Sequence, residues 1–429
     1  MRHGAHYAKK RVLLMEKITA QELAQKWGIS LRYVQSLCQA GRIAGAERKG
    51  RDWLIPADAQ RPPDGRSKAA RAAGEESSAP QPLLRKTPFL DMTDLYQIPG
   101  SADRVVESLA GYPEAQQLFS AEIAYSRCEI DNVYRQANYF LEKHTGFYAI
   151  IAGGLLLSLC AMWKGDVQMW YKAKRHILEA PCKDDMDREI VSLALASADS
   201  AIRNTDEFPD WFMQGRFYNL PRDAHPAARV YYAKHLLISA QDLALGNVEL
   251  IGVSGFGLLR VMPYVVEPMI SQMMADKVIV AEIYLRILVS IAYHQYGDDV
   301  SAAGHLDKAI GLCLADGLYG PLVEFRRQLG LFLDDRLAQI DIDALKKVKE
   351  LHKQLLAGWT ALHNAVLNKS VHLALSSRER EVARLASFGL SDRQIAHQLH
   401  LSESSVKAAV KSAKNKTGVT VRKDLAVFI

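Results

Sequence analysis

The chain is poor in cysteine and has no recognisable catalytic or nucleotide-binding motif. Its 429 residues include five cysteines, which are scattered and never form a CxxC pair. This pattern argues against a disulfide framework or a zinc site and favours a reducing compartment. The motifs GxxxxGK[ST], HExxH and GxSxG are all missing, which excludes a P-loop switch, a zinc-protease site and a nucleophile elbow. We therefore expect no enzymatic activity, no cofactor and no metal.

Long hydrophobic runs are also scarce. Residues 147–163 carry no charged side chain, but this stretch is short for a membrane span and contains two adjacent glycines, a serine and a cysteine. We interpret it as a buried helix. Since no signal peptide is readable at the N-terminus, the sequence predicts a cytoplasmic protein without membrane contact.

Charge is distributed unevenly along the chain. The formal net charge is +6. Residues 1–86 hold 17 basic and 8 acidic side chains, and residues 370–429 hold 10 basic and 5 acidic ones. Residues 87–369 hold 27 basic and 35 acidic side chains. Two basic ends around an acidic centre are typical of nucleic-acid contact at both termini.

The C-terminal residues show three short amphipathic helices separated by tight turns. Ser376 with Glu379 and Ser391 with Gln394 have the spacing of capping boxes, and Gly389 is placed to end the first helix. So short a turn fixes two helices at a steep angle, and the second helix then projects from the body of the domain. Helices that enter the DNA major groove project in this way.

The third of these helices, residues 403–417, has two chemically distinct faces. Val406, Val410 and Ala413 recur at helical spacing and are predicted to face a small core. Hydroxyl and ammonium groups on the other face suit phosphate oxygens, and the helix N-terminus adds partial positive charge. A solvated surface row is the alternative, and the tight turn in front of the helix favours DNA contact. The candidate DNA-contacting residues are Ser402, Ser404, Ser405, Lys407, Ala408, Lys411, Lys414 and Lys416.

This segment resembles the LuxR-type helix-turn-helix, the DNA-binding module of many bacterial transcription regulators. The resemblance runs from Leu375 to Leu425 without gaps. It departs from the family pattern at Ser405, Ala409 and Thr417, where Thr, His and Leu are usual. It implies a four-helix domain at residues 371–429 with a short last helix. The matching positions are Arg378, Glu379, Glu381, Val382, Leu385, Gly389, Ser391, Ile395, Ala396, Leu399, Ser402, Val406, Lys407, Lys416, Gly418 and Arg422.

A second module is predicted at residues 15–60. A capping box at Thr19 and Glu22 starts one helix, a second helix follows, and a basic turn leads into a short apolar strand. This arrangement describes a winged helix and resembles small excisionase and MerR-like DNA-binding domains. The resemblance implies DNA contacts from the second helix and from the wing. The alternative is a small capping domain that binds protein. The candidate contacts are Arg32, Tyr33, Gln35 and Ser36 on the helix and Arg48, Lys49 and Arg51 on the wing.

Residues 61–88 read as a flexible linker, and residues 89–370 read as helical throughout. Turns near positions 128, 165, 204, 246 and 297 give a period near 40 residues, which indicates a helical-repeat array. The best unit, residues 288–314, resembles the tetratricopeptide-like sensor regions of large LuxR-family activators. The inner face of such an array commonly takes a partner or effector.

These observations together predict a mainly α protein, with a tetratricopeptide-like array between an N-terminal winged helix and a C-terminal LuxR-type domain. We expect a sequence-specific DNA-binding transcriptional regulator whose array senses a ligand or partner. The expected partners are double-stranded DNA, RNA polymerase, an unidentified small-molecule or peptide effector, and a second copy of the chain. The alternative is a helical-repeat interaction scaffold with vestigial DNA-binding modules.

Overall fold

The described residues divide into two units, one within residues 1–82 and the other within residues 83–429. The computed structural model describes residues 17–39, 43, 45–50, 52–57, 59, 87–89, 95–143, 146–205, 208–244, 255–368, 375–417, 420–423 and 425. The described residues are mostly helical, as predicted.

The first unit combines two helices with a three-stranded antiparallel sheet, in which β1 (Lys17–Thr19), β3 (Asp52–Pro56) and β2 (Glu47–Lys49) lie side by side in that order. Glu22 N donates to Thr19 Oγ1 at 3.2 Å and Thr19 N donates to Glu22 Oε2 at 2.8 Å, which confirms the predicted capping box. Gly28 ends the first helix with a φ of 64°, a conformation that glycine adopts without strain. The elements are β1 Lys17–Thr19, α1 Ala20–Trp27, α2 Leu31–Gln39, β2 Glu47–Lys49 and β3 Asp52–Pro56.

The second unit contains a long helical region followed by three short C-terminal helices. A 3₁₀ turn, Arg222–Ala224, leads into the helix that begins at His225. The helices of the helical region are α3 Ala102–Ser108, α4 Pro113–Ser126, α5 Ile130–Lys143, α6 Phe147–Lys164, α7 Val167–Leu178, α8 Asp185–Ala201, α9 Asp210–Met213, α10 His225–Ala244, α11 Gly255–Asp276, α12 Ile279–Tyr296, α13 Asp299–Leu314, α14 Gly320–Leu329, α15 Leu331–Ile340 and α16 Ile342–Leu367.

The uncharged stretch forms α6, a core helix. Among the described helices it is the one long and apolar enough to cross a membrane, and 72% of that stretch is buried inside the fold. Burial on nearly all sides explains why its hydrophobic residues form no stripe. The prediction of a buried helix is confirmed.

The long helix α16 crosses α6 at very close range. A Cβ atom added at Gly358 would overlap the backbone of Trp163 and Met162. The absence of a side chain at Gly358 therefore sets the separation of these two helices, and Leu355 and Leu362 are buried on the same helix.

Four of the five predicted turns of the helical region fall among the described residues, and all four are turns. Each contains a residue in the left-handed conformation: Cys128, Gly165, Arg203 and Gly297, with φ of 64°, 66°, 60° and 97°. The fifth, near residue 246, lies outside the described residues. Ser290 Oγ of α12 donates to the carbonyl oxygen of Ala302 in α13 at 2.9 Å, as expected for a tightly packed helix pair. The membership of these helices in the tetratricopeptide class stays a prediction.

The C-terminal helices α17 Ser377–Ser387, α18 Asp392–Gln398 and α19 Glu403–Thr417 enclose a separate small core. Leu385 and Ile395 are buried there with Val406 and Ala413, as the sequence predicts. The predicted fourth helix falls largely on residues outside the described ones.

Candidate nucleic-acid interface

The turns that present α19 are built by local side-chain caps. Ser376 Oγ accepts a hydrogen bond from Glu379 N at 3.2 Å, and Ser391 Oγ accepts one from Gln394 N at 3.3 Å. In both cases the residue at the third helical position bonds back to the cap, so both predicted capping boxes are confirmed. His400 adopts a φ of 51° between α18 and α19, which closes the turn within a few residues.

Three serine hydroxyls cluster where α19 begins. Ser402 Oγ accepts from Ser405 N at 3.1 Å, and it lies 2.9 Å from Ser404 Oγ and 2.7 Å from Ser405 Oγ. All three residues are exposed. Exposed hydroxyls beside the partial positive charge of a helix N-terminus form a favourable contact for a phosphate oxygen.

The predicted DNA-facing side of α19 is directed to solvent. Lys407, Ala408 and Lys411 are exposed, and Lys414 is half-buried. The side chain of Lys416 lies outside the described residues. The candidate residues for which the structure describes a side chain therefore share one accessible face.

Polar contacts join α19, and the segment that follows it, to the neighbouring helices. Ser412 Oγ donates to Glu379 Oε1 at 2.6 Å, which ties α19 to the start of α17. Arg422 donates to Asp392 Oδ1 at 2.5 Å and to the carbonyl oxygen of Leu390 at 2.9 Å. The first contact therefore joins α19 to α17, whereas the Arg422 contacts join the segment after α19 to the start of α18.

Comparison with known families supports this geometry. Residues 373–429 match the family described as "Bacterial regulatory proteins, luxR family". These residues form a LuxR-type helix-turn-helix domain. No curated protein and no solved structure matches the chain. The predicted LuxR-type helix-turn-helix at the C-terminus is thereby confirmed, whereas its DNA-contacting residues, the winged helix and the tetratricopeptide-like region stay predictions.

The LuxR-type domain docks on the helical region through a buried network of charges. Arg384 of α17 donates to the carbonyl oxygen of His294 at 3.0 Å and to Glu381 Oε1 at 2.7 Å. Asp299, at the start of α13, lies 2.7 Å from His294 Nδ1 and 3.4 Å from Arg384 Nη2. Arg384 and His294 are each 2% exposed. We call this set of residues the junction.

The charges of the junction perturb its carboxyl groups strongly. Burial alone would raise the pKa of Glu381, but the hydrogen bond from His294 and the charge of Arg384 outweigh it and lower that pKa to about 2. The pKa of Asp299 is also lowered, because the same two partners outweigh its burial. Both carboxylates are therefore ionised at neutral pH.

Most of the predicted DNA-contacting residues of the N-terminal unit lie on its surface. Arg32, Gln35 and Ser36 are exposed on α2, whereas Tyr33 is half-buried and packs against the small core. Arg48 and Lys49 are exposed on β2. Arg51 lies outside the described residues.

Sequence reasoning missed the junction. Glu381 was recognised as a family position, but its partner His294 lies 87 positions earlier in the chain. The sequence held only a weak signal for this contact. Glu381 and Arg384 are charged residues on the same helix as the apolar residues of the domain core, so they could be buried against another part of the protein.

Proposed function

We propose that the chain is a bacterial transcription regulator that binds specific DNA sequences through α19 of its LuxR-type domain. The observation that carries the proposal is the exposed row of hydroxyl and ammonium groups on a helix projected by two capping boxes. Lysines on this face supply affinity by releasing counterions from phosphates, and neighbouring side chains select bases.

Several finer features belong to the same proposal. The N-terminal unit acts as a second DNA reader through α2 and the β2–β3 hairpin. The helical region senses a small molecule, a peptide or a protein and changes the orientation or pairing of the readers. The protein works in the cytoplasm as a homodimer without catalytic activity, and RNA polymerase is a candidate partner.

A gel-shift experiment with genomic fragments at low salt tests this function. The full-length protein is expected to retard a subset of fragments, and the double variant Lys407→Glu/Lys411→Glu is expected to lose that retardation. A matched variant, Lys346→Glu/Lys353→Glu, reverses two lysines on α16 of the helical region and is expected to behave as wild type. If no fragment is retarded by the wild-type protein, the DNA-binding proposal is wrong.

A second candidate is an interaction scaffold with vestigial DNA-binding modules. It is favoured by large apolar side chains that the helical region exposes, among them Tyr264 at 83% and Val300 at 85%. The gel-shift distinguishes the two functions, because a scaffold retards no DNA.

A further inference from the structure

Two arginines meet where the LuxR-type domain docks on the helical region, beside the junction. Arg327 lies in the last turn of α14 and Arg380 lies on α17. Arg380 Nη1 donates to the carbonyl oxygen of Arg327, and its Nη2 lies 3.4 Å from the carbonyl oxygen of Leu375. Both side chains are half-buried. The LuxR-type domain thus places the guanidinium of Arg380 against α14, the helix that carries Arg327.

Neither guanidinium has an acidic partner among the residues that the structure describes. The guanidinium of Arg327 donates no hydrogen bond to any described residue, and it lies 5.5 Å from the ring centroid of Trp359. The neighbouring Arg326 differs in this respect, because it forms two hydrogen bonds to Asp334 at 3.0 and 2.7 Å. A cation withdrawn from water without a counter-charge is costly, so a missing anionic partner is indicated.

The surroundings of the pair add positive charge. Burial, together with the charges of Arg380 and Arg203, lowers the pKa of Arg327 to about 9, and burial lowers the pKa of Arg380 to about 10. Lys234 of α10 is half-buried 5.8 Å from the ring centroid of Phe325, which lies on the same helix as Arg327. It forms no ion pair with a described residue, and burial lowers its pKa. Two described carboxylates of α14 and α15 are already engaged: Glu324 accepts from Tyr125 at 2.6 Å, and Asp334 accepts from Arg326.

We propose that Arg327 and Arg380 together bind a small oxyanion of the phosphate class, and that this anion strengthens the docking of the LuxR-type domain. A guanidinium presents a planar fork of N–H donors that matches the spacing of two phosphate oxygens. One arginine comes from each side of the contact. A bound anion therefore attracts both guanidinium groups, which otherwise repel each other. Because it binds more tightly when the two arginines are close together, it favours the docked arrangement. The inference names the class of effector for the proposed regulator, and so it rests on the proposed function.

Thermal unfolding of the full-length protein with inorganic phosphate tests the site. Phosphate is expected to raise the midpoint of unfolding saturably, whereas chloride at equal ionic strength does not. Arg327→Gln and Arg380→Gln are each expected to weaken phosphate binding about tenfold or more, as for the loss of a charged hydrogen bond. Arg336→Gln is the matched control, because Arg336 already pairs with Asp307, and it is expected to bind phosphate as wild type does.

The unfolding midpoints of the variants in the absence of phosphate show whether a lost phosphate effect comes from misfolding. Arg327→Gln removes an unpaired charge and is expected to unfold at or above the wild-type midpoint when phosphate is absent. A strong loss of stability in that variant would contradict the claim that Arg327 lacks an acidic partner. A phosphate shift of equal size in all variants, or none in the wild type, would overturn the site.

Two further measurements separate this inference from the proposed function. Hydrogen exchange of the α17 amides is expected to slow when phosphate is added without DNA, and unchanged exchange in the presence of bound phosphate would overturn the coupling. A short DNA duplex added instead of phosphate shows whether the anion is free phosphate or a phosphate group of DNA. If the duplex raises the unfolding midpoint of the wild type and inorganic phosphate does not, the site does not bind a free oxyanion. Loss of gel-shift activity would bear on the DNA proposal alone.

Discussion

The guanidinium of Arg384 donates a hydrogen bond to the backbone carbonyl oxygen of His294 across 3.0 Å, between the LuxR-type domain and the helical region. These residues are 90 positions apart in the sequence. Glu381 and Asp299 complete the contact from the two sides. The DNA-facing side of α19 stays exposed in this arrangement. The junction therefore fixes the orientation of the domain without covering its candidate DNA-binding face.

Replacing Arg384 is expected to loosen the LuxR-type domain. In Arg384→Met, Glu381 and Asp299 lose their cationic partner while staying buried or half-buried, which costs about 3–5 kcal/mol for a buried pair. Hydrogen exchange of the α17 amides should accelerate accordingly. Arg188→Met removes an exposed pair with Asp185 and should leave the exchange of α17 unchanged. Equal exchange in wild type and Arg384→Met would show that the network does not hold the domain.

The low pKa of Glu381 makes the stability of the second unit sensitive to acid. Its folded value of about 2 lies below the ordinary value of 4.5. The stabilisation is therefore fully present above about pH 5 and is lost as the pH falls towards 2, with a magnitude of about 3 kcal/mol. In Glu381→Gln this part of the pH dependence should disappear in denaturation series across that range. Glu350→Gln, an exposed position on α16, should keep the wild-type profile. A wild-type profile in Glu381→Gln would refute the assignment.

The close crossing of α16 and α6 predicts a large effect from one methyl group. Gly358→Ala forces a Cβ atom into the backbone of Trp163, and we expect a destabilisation of about 3 kcal/mol. At Gly311 on α13 an added Cβ meets nothing within 4 Å, so Gly311→Ala should be neutral or stabilising by up to about 1 kcal/mol. Urea unfolding followed by circular dichroism measures both. Equal midpoints for the two variants would mean that the helices are farther apart than described.

Local signals in the sequence were sufficient for the helix starts and turns. The caps at Thr19, Ser376 and Ser391 and the turns at Gly165 and Gly297 depend on residues a few positions apart, so their patterns are readable directly. The LuxR-type domain was recognisable because its core and cap residues are contiguous in one segment.

Long-range packing was not readable in the same way. The role of Gly358 depends on Trp163, which lies almost 200 positions away, and an isolated glycine in a helix only suggests a weak point. The partners of Arg384 belong to the end of α12 and the start of α13. A single sequence carries no signal that pairs such distant residues.

The salt dependence of DNA binding tests the central claim most directly. The dissociation constant of the wild-type protein for a retarded genomic fragment is measured over a range of salt concentrations, together with that of Lys407→Ala. If Lys407 of α19 contacts a phosphate, the variant should bind all fragments more weakly by a similar factor, and its salt slope should fall by about one. Lys346→Ala, on the helical region, should retain the wild-type slope. An unchanged slope and affinity for Lys407→Ala would contradict DNA binding through this face.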